Sequence, residues 1–301
     1  MARPLIARID TAALAHNLGV AKTAAPKSKA YAVVKANGYG HGLARVARGL
    51  RAAEGFAVLS IEEAALLRGE GYSHPIALLE GFFHPDELPE IARLRLRPVI
   101  HRQDQAEVLA RSRLGHRVDV LLKLDTGMHR LGLRPAQLSQ ALATLHASPN
   151  VGGITLMSHF ACADEPAIGV ADQLAVFRAC LPSPTGRGAG GEGATPNPAP
   201  SLDRPLFPLP GPLPRGEGAY PITLANSAAL LRYPETHADW VRPGIMLYGI
   251  SPFSELTGAD LGLLPVMTLE SRLIATRRIQ KGEAVGYGAT FVADRDMNIG
   301  V

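Results

Sequence analysis

The chain has 301 residues, 47% of them hydrophobic, a formal charge of +4 and two cysteines, which allows one large α/β domain or two domains of ordinary globular character. The arginines are scattered and runs such as Arg93-Leu94-Arg95-Leu96-Arg97 lack interleaved aromatics, which argues against nucleic-acid binding. No apolar run reaches membrane-spanning length, Met1 to Asp10 lacks the apolar core of a secretory signal, and Cys162 and Cys180 lack CxxC spacing; the expectation is a cytoplasmic protein with two buried thiols, no metal and no membrane partner.

After Ile9, Asp10 or Thr11 can cap a helix with apolar positions at Leu14 and Leu18. The apolar run Ala30 to Val34 ends at Lys35 and meets the glycine-rich Asn37-Gly38-Tyr39-Gly40-His41-Gly42, which reads as a buried strand and the loop after it. Gly55 to Leu59 is the next strand. Ser60 then caps a helix through Leu67, with Glu63 placed to complete a capping box. Further strands are expected at Pro75 to Leu79, Arg97 to Ile100, Val118 to Leu124, Gly152 to Met157, Ile222 to Leu224 and Trp240-Val241. Helices fall between them near Ala106 to Ala110, from Pro135, a favoured first-turn residue, and near Ala171 to Arg178.

Eight nearly all-apolar strands alternating with helices fit an α/β fold, a parallel (β/α)8 barrel of the TIM type covered on both faces. A doubly wound open sheet is the competitor, and the count of eight favours the barrel. The barrel is expected over 1–250, with the strand at 4–10 free to join a second domain. Residues 182–218 are a low-complexity, Pro/Gly-rich insertion expected to be disordered; its glycine run lacks the strand and helix of a phosphate loop. Over 251–301 strands follow one another without helices, at Leu269 to Ile279 and Ala284 to Val292, which marks a C-terminal β domain. A new strand begins at Met297 just before the sequence stops, so the β domain is expected to be truncated.

A barrel puts functional groups at the C-terminal ends of its strands, and Lys35, Lys123, His159, Asn226 and Arg242 all follow apolar runs. A strand-end lysine either lets its head reach water or is neutralised, for example as an imine with an aldehyde cofactor such as pyridoxal 5'-phosphate (PLP). Arg130, in the polar stretch Lys123 to Gly132, can hold a carboxylate or phenolic oxygen through paired N–H donors. Ala225-Asn226-Ser227 and Arg242-Pro243-Gly244-Ile245 offer hydroxyl and backbone N–H groups suited to a phosphate at a barrel rim. Gly286-Tyr287-Gly288 sets a tyrosine between glycines in the β region.

On these segments the chain resembles the alanine racemase family, fold-type III PLP enzymes with an N-terminal α/β barrel and a C-terminal β domain. Val33 to Gly42 carries the resemblance most strongly. Lys123 to Gly132, Ser158-His159-Phe160, Ala225-Asn226-Ser227, Arg242 to Ile245 and Val285 to Thr290 follow in the family's order. The resemblance implies interconversion of L- and D-alanine, supplying D-alanine for peptidoglycan. It implies Lys35 as the PLP-bearing lysine and the base for the D-enantiomer. Tyr287 would be the base for the L-enantiomer, acting in the partner's site of a homodimer. Arg130 would touch the PLP phenolic oxygen and the substrate carboxylate. Lys123 matches a lysine that is often carbamylated and then orients Arg130. Arg242 would bond the pyridine nitrogen, and His159 would link Arg242 to Tyr287. Tyr39, Ser227, Gly244 and Ile245, with Asn226, match the phosphate-binding side of the cofactor site.

A cationic His–Arg relay would lower the Tyr287 phenol from its ordinary value of about 10 toward operating pH. An arginine on the pyridine nitrogen does not readily give up a proton; it weakens the ring as an electron sink and limits side reactions. Other readings stand beside this one. A non-catalytic PLP-binding barrel lacks a second base, which Tyr287 supplies. A fold-type III decarboxylase places an acidic group where Arg242 stands. An inactive or truncated racemase fragment is the third, because family members continue beyond the point where this sequence stops.

Overall fold

The computed structural model describes residues 4–181 and 220–301; the insertion expected over 182–218 lies outside them. The chain divides into two units, Asp10–Val266 and Met1–Ile9 with Met267–Val301. Strand β1 (Leu5–Ile9) belongs to the second. In the first, eight parallel strands close into a barrel: β2 (Lys29–Val33), β3 (Gly55–Val58), β4 (Ile76–Leu78), β5 (Leu96–Ile100), β6 (Val118–Lys123), β7 (Val151–Met157), β8 (Ile222–Thr223) and β9 (Trp240–Val241). The last closes on the first through Lys29 opposite Trp240 and Ala30 opposite Val241.

The pairing of β9 with β2 closes the barrel and excludes the open sheet, and both faces of its strands are apolar. Tyr31, Val33, Ala57, Ala77, Val99, Leu121, Met157 and Trp240 form one buried cluster inside it. The residues that alternate with them, such as Phe56, Ile76, Leu78 and Leu122, are also fully buried, on the opposite face of each strand. Each such side chain contributes about 1.5–3 kcal/mol by leaving water.

The first helix, Thr11–Ala24, starts where Asp10 accepts hydrogen bonds from the Ala12 N–H at 2.8 Å and the Ala13 N–H at 3.1 Å. Its buried Asn17 donates to Leu247 O and Leu264 O and accepts from the Leu264 N–H. These bonds tie Leu264 to the first helix, within the unit that runs to Val266. Pro135 opens a short 3-10 turn, Pro135–Gln137, and the α-helix runs over Leu138–His146.

In the second unit β1 pairs antiparallel with β10 (Met267–Ser271). β11 (Thr276–Ile279), β12 (Ala284–Val285), β13 (Phe291–Val292) and β14 (Met297–Gly300) follow. β11 pairs with β14, and β12 with β13. The two long strands expected from the sequence are thus each broken in two. Between β12 and β13 the chain turns through Gly286 and Gly288, at φ 74° and 76°, a region glycine enters without steric cost.

Both cysteines are free. Cys180 is buried, but Cys162 is only half-buried, against the expectation of two buried thiols. No helix among the described residues is long and apolar enough to cross a membrane.

Candidate active site

The C-terminal ends of the barrel strands surround a cavity of about 630 Å³. Lys35, Tyr39, Lys123, Arg130, His159, Asn226, Ser227, Arg242, Gly244 and Ile245 all line it. Tyr287 stands in the other unit, on the turn Tyr287–Ala289, with its side chain fully exposed.

Lys35 follows β2, and the chain then takes a left-handed turn. Ala36, Asn37, Gly38 and Tyr39 have φ of 53°, 54°, 64° and 50°. Each non-glycine residue there costs about 1–2 kcal/mol. Bonds from Gly38 N–H to Val34 O (2.9 Å), Gly40 N–H to Ala36 O (3.0 Å) and Gly42 N–H to Asn37 O (2.9 Å) offset part of it. Asn37 Oδ1 also accepts from the Leu43 N–H at 2.8 Å. A Cβ on Gly38 would lie 2.7 Å from Val46 Cγ2, so the turn packs closely on the next helix. Tyr39 stacks on Tyr248 with ring centres 4.6 Å apart, and the Tyr248 hydroxyl donates to Val33 O at 3.2 Å. Burial pushes both phenols upward, so each stays a neutral donor.

The expected capping box forms only by half. Ser60 Oγ accepts from the Glu63 N–H. The Glu63 carboxylate instead accepts from the Leu59 N–H at 3.0 Å and the Asn37 N–H at 2.8 Å. It links the residue just before its own helix cap to the turn after Lys35.

Arg242 is 3% exposed. It donates to Thr223 Oγ1 (2.6 Å), Ser158 O (2.7 Å) and Leu224 O (2.9 Å), and its Nη2 also lies 3.2 Å from His159 Nδ1. Burial pulls the guanidinium down to about 10, which leaves it charged at neutral pH. His159 is held well below its ordinary value, by burial first and then by Arg242, Lys123, Arg130 and Lys35. These directions put the charge of the expected His–Arg relay on Arg242 rather than on the imidazole. Arginine has no acceptor, so its contact with Nδ1 favours the tautomer that carries the proton on Nε2.

Lys123 ends β6 and is brought down to about 8, by burial first and then by Arg242 and Arg130, with Asp125 opposing. The loop to Arg130 folds around Asp125, whose Oδ1 accepts from the Gly127 N–H (3.1 Å) and the His129 N–H (3.0 Å). Leu133 N–H to Lys123 O and Asp125 N–H to Leu133 O, both 2.8 Å, close it. Gly132, at φ 135°, allows this closure: a Cβ there would sit 2.6 Å from Asp125 N.

Two strands further round the rim, after β8, Asn226 Oδ1 caps the short helix Ser227–Arg232 through the Ala229 N–H at 3.0 Å. Ser227 Oγ accepts from the Gly244 N–H at 2.9 Å. The backbone donor read from the sequence as open is thus paired with the neighbouring hydroxyl, whose own proton is left to donate.

Several residues that shape the site escaped the sequence reading. Thr223 holds Arg242, and Ser158 bonds Thr126 at 2.8 Å. Gln173 donates to His159 O at 3.1 Å and to Thr126 Oγ1 at 3.2 Å. Thr223 left a signal as a polar residue inside an apolar strand, Ser158 and Thr126 lie within segments that carry the resemblance, and Gln173 left none.

The alanine racemase N-terminal domain model matches residues 9–187 and 213–252, and the alanine racemase C-terminal domain model matches 266–301. The alanine racemase of Nitrosomonas europaea is 45% identical over 303 residues, covering 100% of this chain and 75% of that relative. That of Nitrosospira multiformis is 44% identical with the same coverage. The crystal structure of biosynthetic alanine racemase from Pseudomonas aeruginosa superposes with a TM-score of 0.81 at 42% identity, over 99% of this chain and 75% of that one. Matches of this extent, over both units and around the cavity just described, show that the chain belongs to the alanine racemase family.

Proposed function

We propose that the chain is a PLP-dependent racemase that interconverts L- and D-alanine by a two-base mechanism. On this reading it works as a cytoplasmic homodimer and supplies D-alanine for peptidoglycan. The observation that carries the proposal is the charge of the barrel-mouth cavity. Among the described residues, Lys35, Lys123, Arg130 and Arg242 line it against only two carboxylates, Glu80 and Asp164.

That surplus suits a phosphate and a substrate carboxylate. A Cβ on Gly244 would lie 2.7 Å from Tyr39 Oη, so glycine lets the phenol lie close over the backbone where the phosphate side is expected. The donor set therefore fits PLP. Lys35 would hold it covalently, Arg242 its ring nitrogen and Arg130 its phenolic oxygen together with the substrate carboxylate. Tyr39, Asn226, Ser227, Gly244 and Ile245 would form the phosphate side. When bound, PLP supplies an electron sink that acidifies the α C–H bond of the attached amino acid.

Racemisation takes a proton from one face of Cα and delivers another to the opposite face. Lys35 Nζ would hold the proton on the D side. Tyr287 of the partner subunit would hold it on the L side through its phenolic oxygen. A neutral His159 with its proton on Nε2 can donate toward that oxygen, while Arg242 keeps the positive charge that favours the phenolate. Lys123, at about 8, has an accessible neutral amine. Its nitrogen can bond the carbon of CO₂ with loss of a proton, and the carbamate would give Arg130 an anionic partner.

Borohydride reduction of the PLP-loaded protein, followed by peptide mapping, tests the assignment. The cofactor should be fixed on the Lys35 peptide, and fixation on Lys123 or another lysine overturns it.

A further inference from the structure

Glu63 lies on the helix Ile61–Gly69, outside the cavity lining. At its own helix N-terminus Ser60 Oγ accepts the Glu63 N–H, and the carboxylate does not close the box on the Ser60 N–H. It serves two strand ends instead, one oxygen each. Oε1 accepts from the Asn37 N–H at 2.8 Å, in the left-handed turn two residues past Lys35. Oε2 accepts from the Leu59 N–H at 3.0 Å, just past β3, where Leu59 lines the cavity.

We infer that Glu63 is a positioning residue, which ties the turn after Lys35 to the end of β3 and so sets where the Lys35 amine and the Tyr39 hydroxyl stand. Three non-glycine residues in the left-handed region do not hold a turn by themselves. The bond to Asn37 lies at the middle of that turn. Lys35 enters it and Tyr39 leaves it, so one anchor governs both side chains. The negative charge also acts on the layer beneath. Tyr248 is held neutral by burial first and then by Tyr39 and Glu63, and it donates to Val33 O, two residues before Lys35. The inference rests on the reading of Lys35 as the cofactor lysine.

Glutamine is the informative replacement, because it keeps the shape but has one acceptor oxygen for two N–H donors and turns an NH₂ group against the other. In the PLP-loaded chain, Glu63→Gln should keep the circular dichroism spectrum of the wild type. Its kcat should fall about tenfold to a hundredfold, the range expected for a misplaced reacting group. The KM for alanine should change by less than about threefold. The absorption band of bound PLP and its pH midpoint should shift, and the apoprotein should bind PLP more weakly in a direct titration. A variant with wild-type kcat, spectrum and PLP affinity overturns the inference. A second measurement needs no variant: in the unaltered chain the Asn37 and Leu59 amides should be as protected from hydrogen exchange as amides of the barrel strands, and fast exchange at both also overturns it. Borohydride labelling separates this from the underlying reading. Wild-type label away from Lys35 removes the reading itself, whereas label on Lys35 together with an unchanged Glu63→Gln removes only the role of Glu63.

Discussion

Replacing Lys123 with methionine should make the apoprotein more stable near neutral pH. Lys123 is 5% exposed, and burial with two neighbouring arginines brings its ammonium down from 10.5 to about 8. In the unfolded chain it returns to the higher value. Below about pH 8 both states are protonated and the folded state carries the full cost of a buried cation. Between about pH 8 and 10.5 the unfolded chain binds more protons than the folded one, so stability rises with pH through that window. The gap between 10.5 and about 8, at about 1.4 kcal/mol per pH unit, corresponds to about 3 kcal/mol. Methionine keeps the length and removes the charge. Urea unfolding of wild type and Lys123→Met is compared from pH 7 to pH 10 in CO₂-free buffer, so that the amine is not consumed. The variant should exceed wild type by about 2–3 kcal/mol at pH 7, with the difference shrinking as pH rises. Parallel pH curves, or a variant less stable at pH 7, would refute the argument.

Tyr287→Phe should slow proton abstraction from L-alanine about a hundredfold or more and that from D-alanine far less; solvent-deuterium exchange followed in each direction checks this, and equal losses count against two bases. Thr223→Val removes the 2.6 Å partner of Arg242 Nη1 and leaves a buried charged donor unsatisfied, at about 1.5–3 kcal/mol. Calorimetry should find a melting temperature lower by about 3–12 °C. Gly132→Ala forces a Cβ to within 2.6 Å of Asp125 N and should raise the KM for alanine by displacing Arg130. Unchanged steady-state kinetics would show that this loop does not place the arginine.

The barrel is legible in the sequence because parallel strands buried on both faces read as unbroken apolar runs, even where β8 and β9 are two residues long. The broken strands of the second unit are harder, since Thr276–Ile279 and Met267–Ser271 differ little in composition from the residues that separate them. At the site, Lys35, Arg130, His159 and Arg242 stand out as polar residues after apolar strands. The left-handed turn does not, because Ala36 and Tyr39 have no preference for positive φ and only Asn37, Gly38, Gly40 and Gly42 hint at it. Glu63 and Gln173 are hidden for another reason. Each has a partner on another strand-helix unit, Asn37 for Glu63 and Thr126 for Gln173, and local patterning sees only a helix cap and a helix surface.

Val33 and Met157 belong at once to the packed barrel interior and to the wall of the cavity, and Leu79 and Tyr39 rest on the same layer. The pocket floor and the barrel plug are one set of atoms. A mutant library aimed at bulkier amino acids through these positions would therefore be filtered first by expression yield, before any clone is assayed for substrate range. Variation at the mouth, on the loops carrying Leu131 and Asp164, leaves that layer intact and is the more promising place to begin such a library.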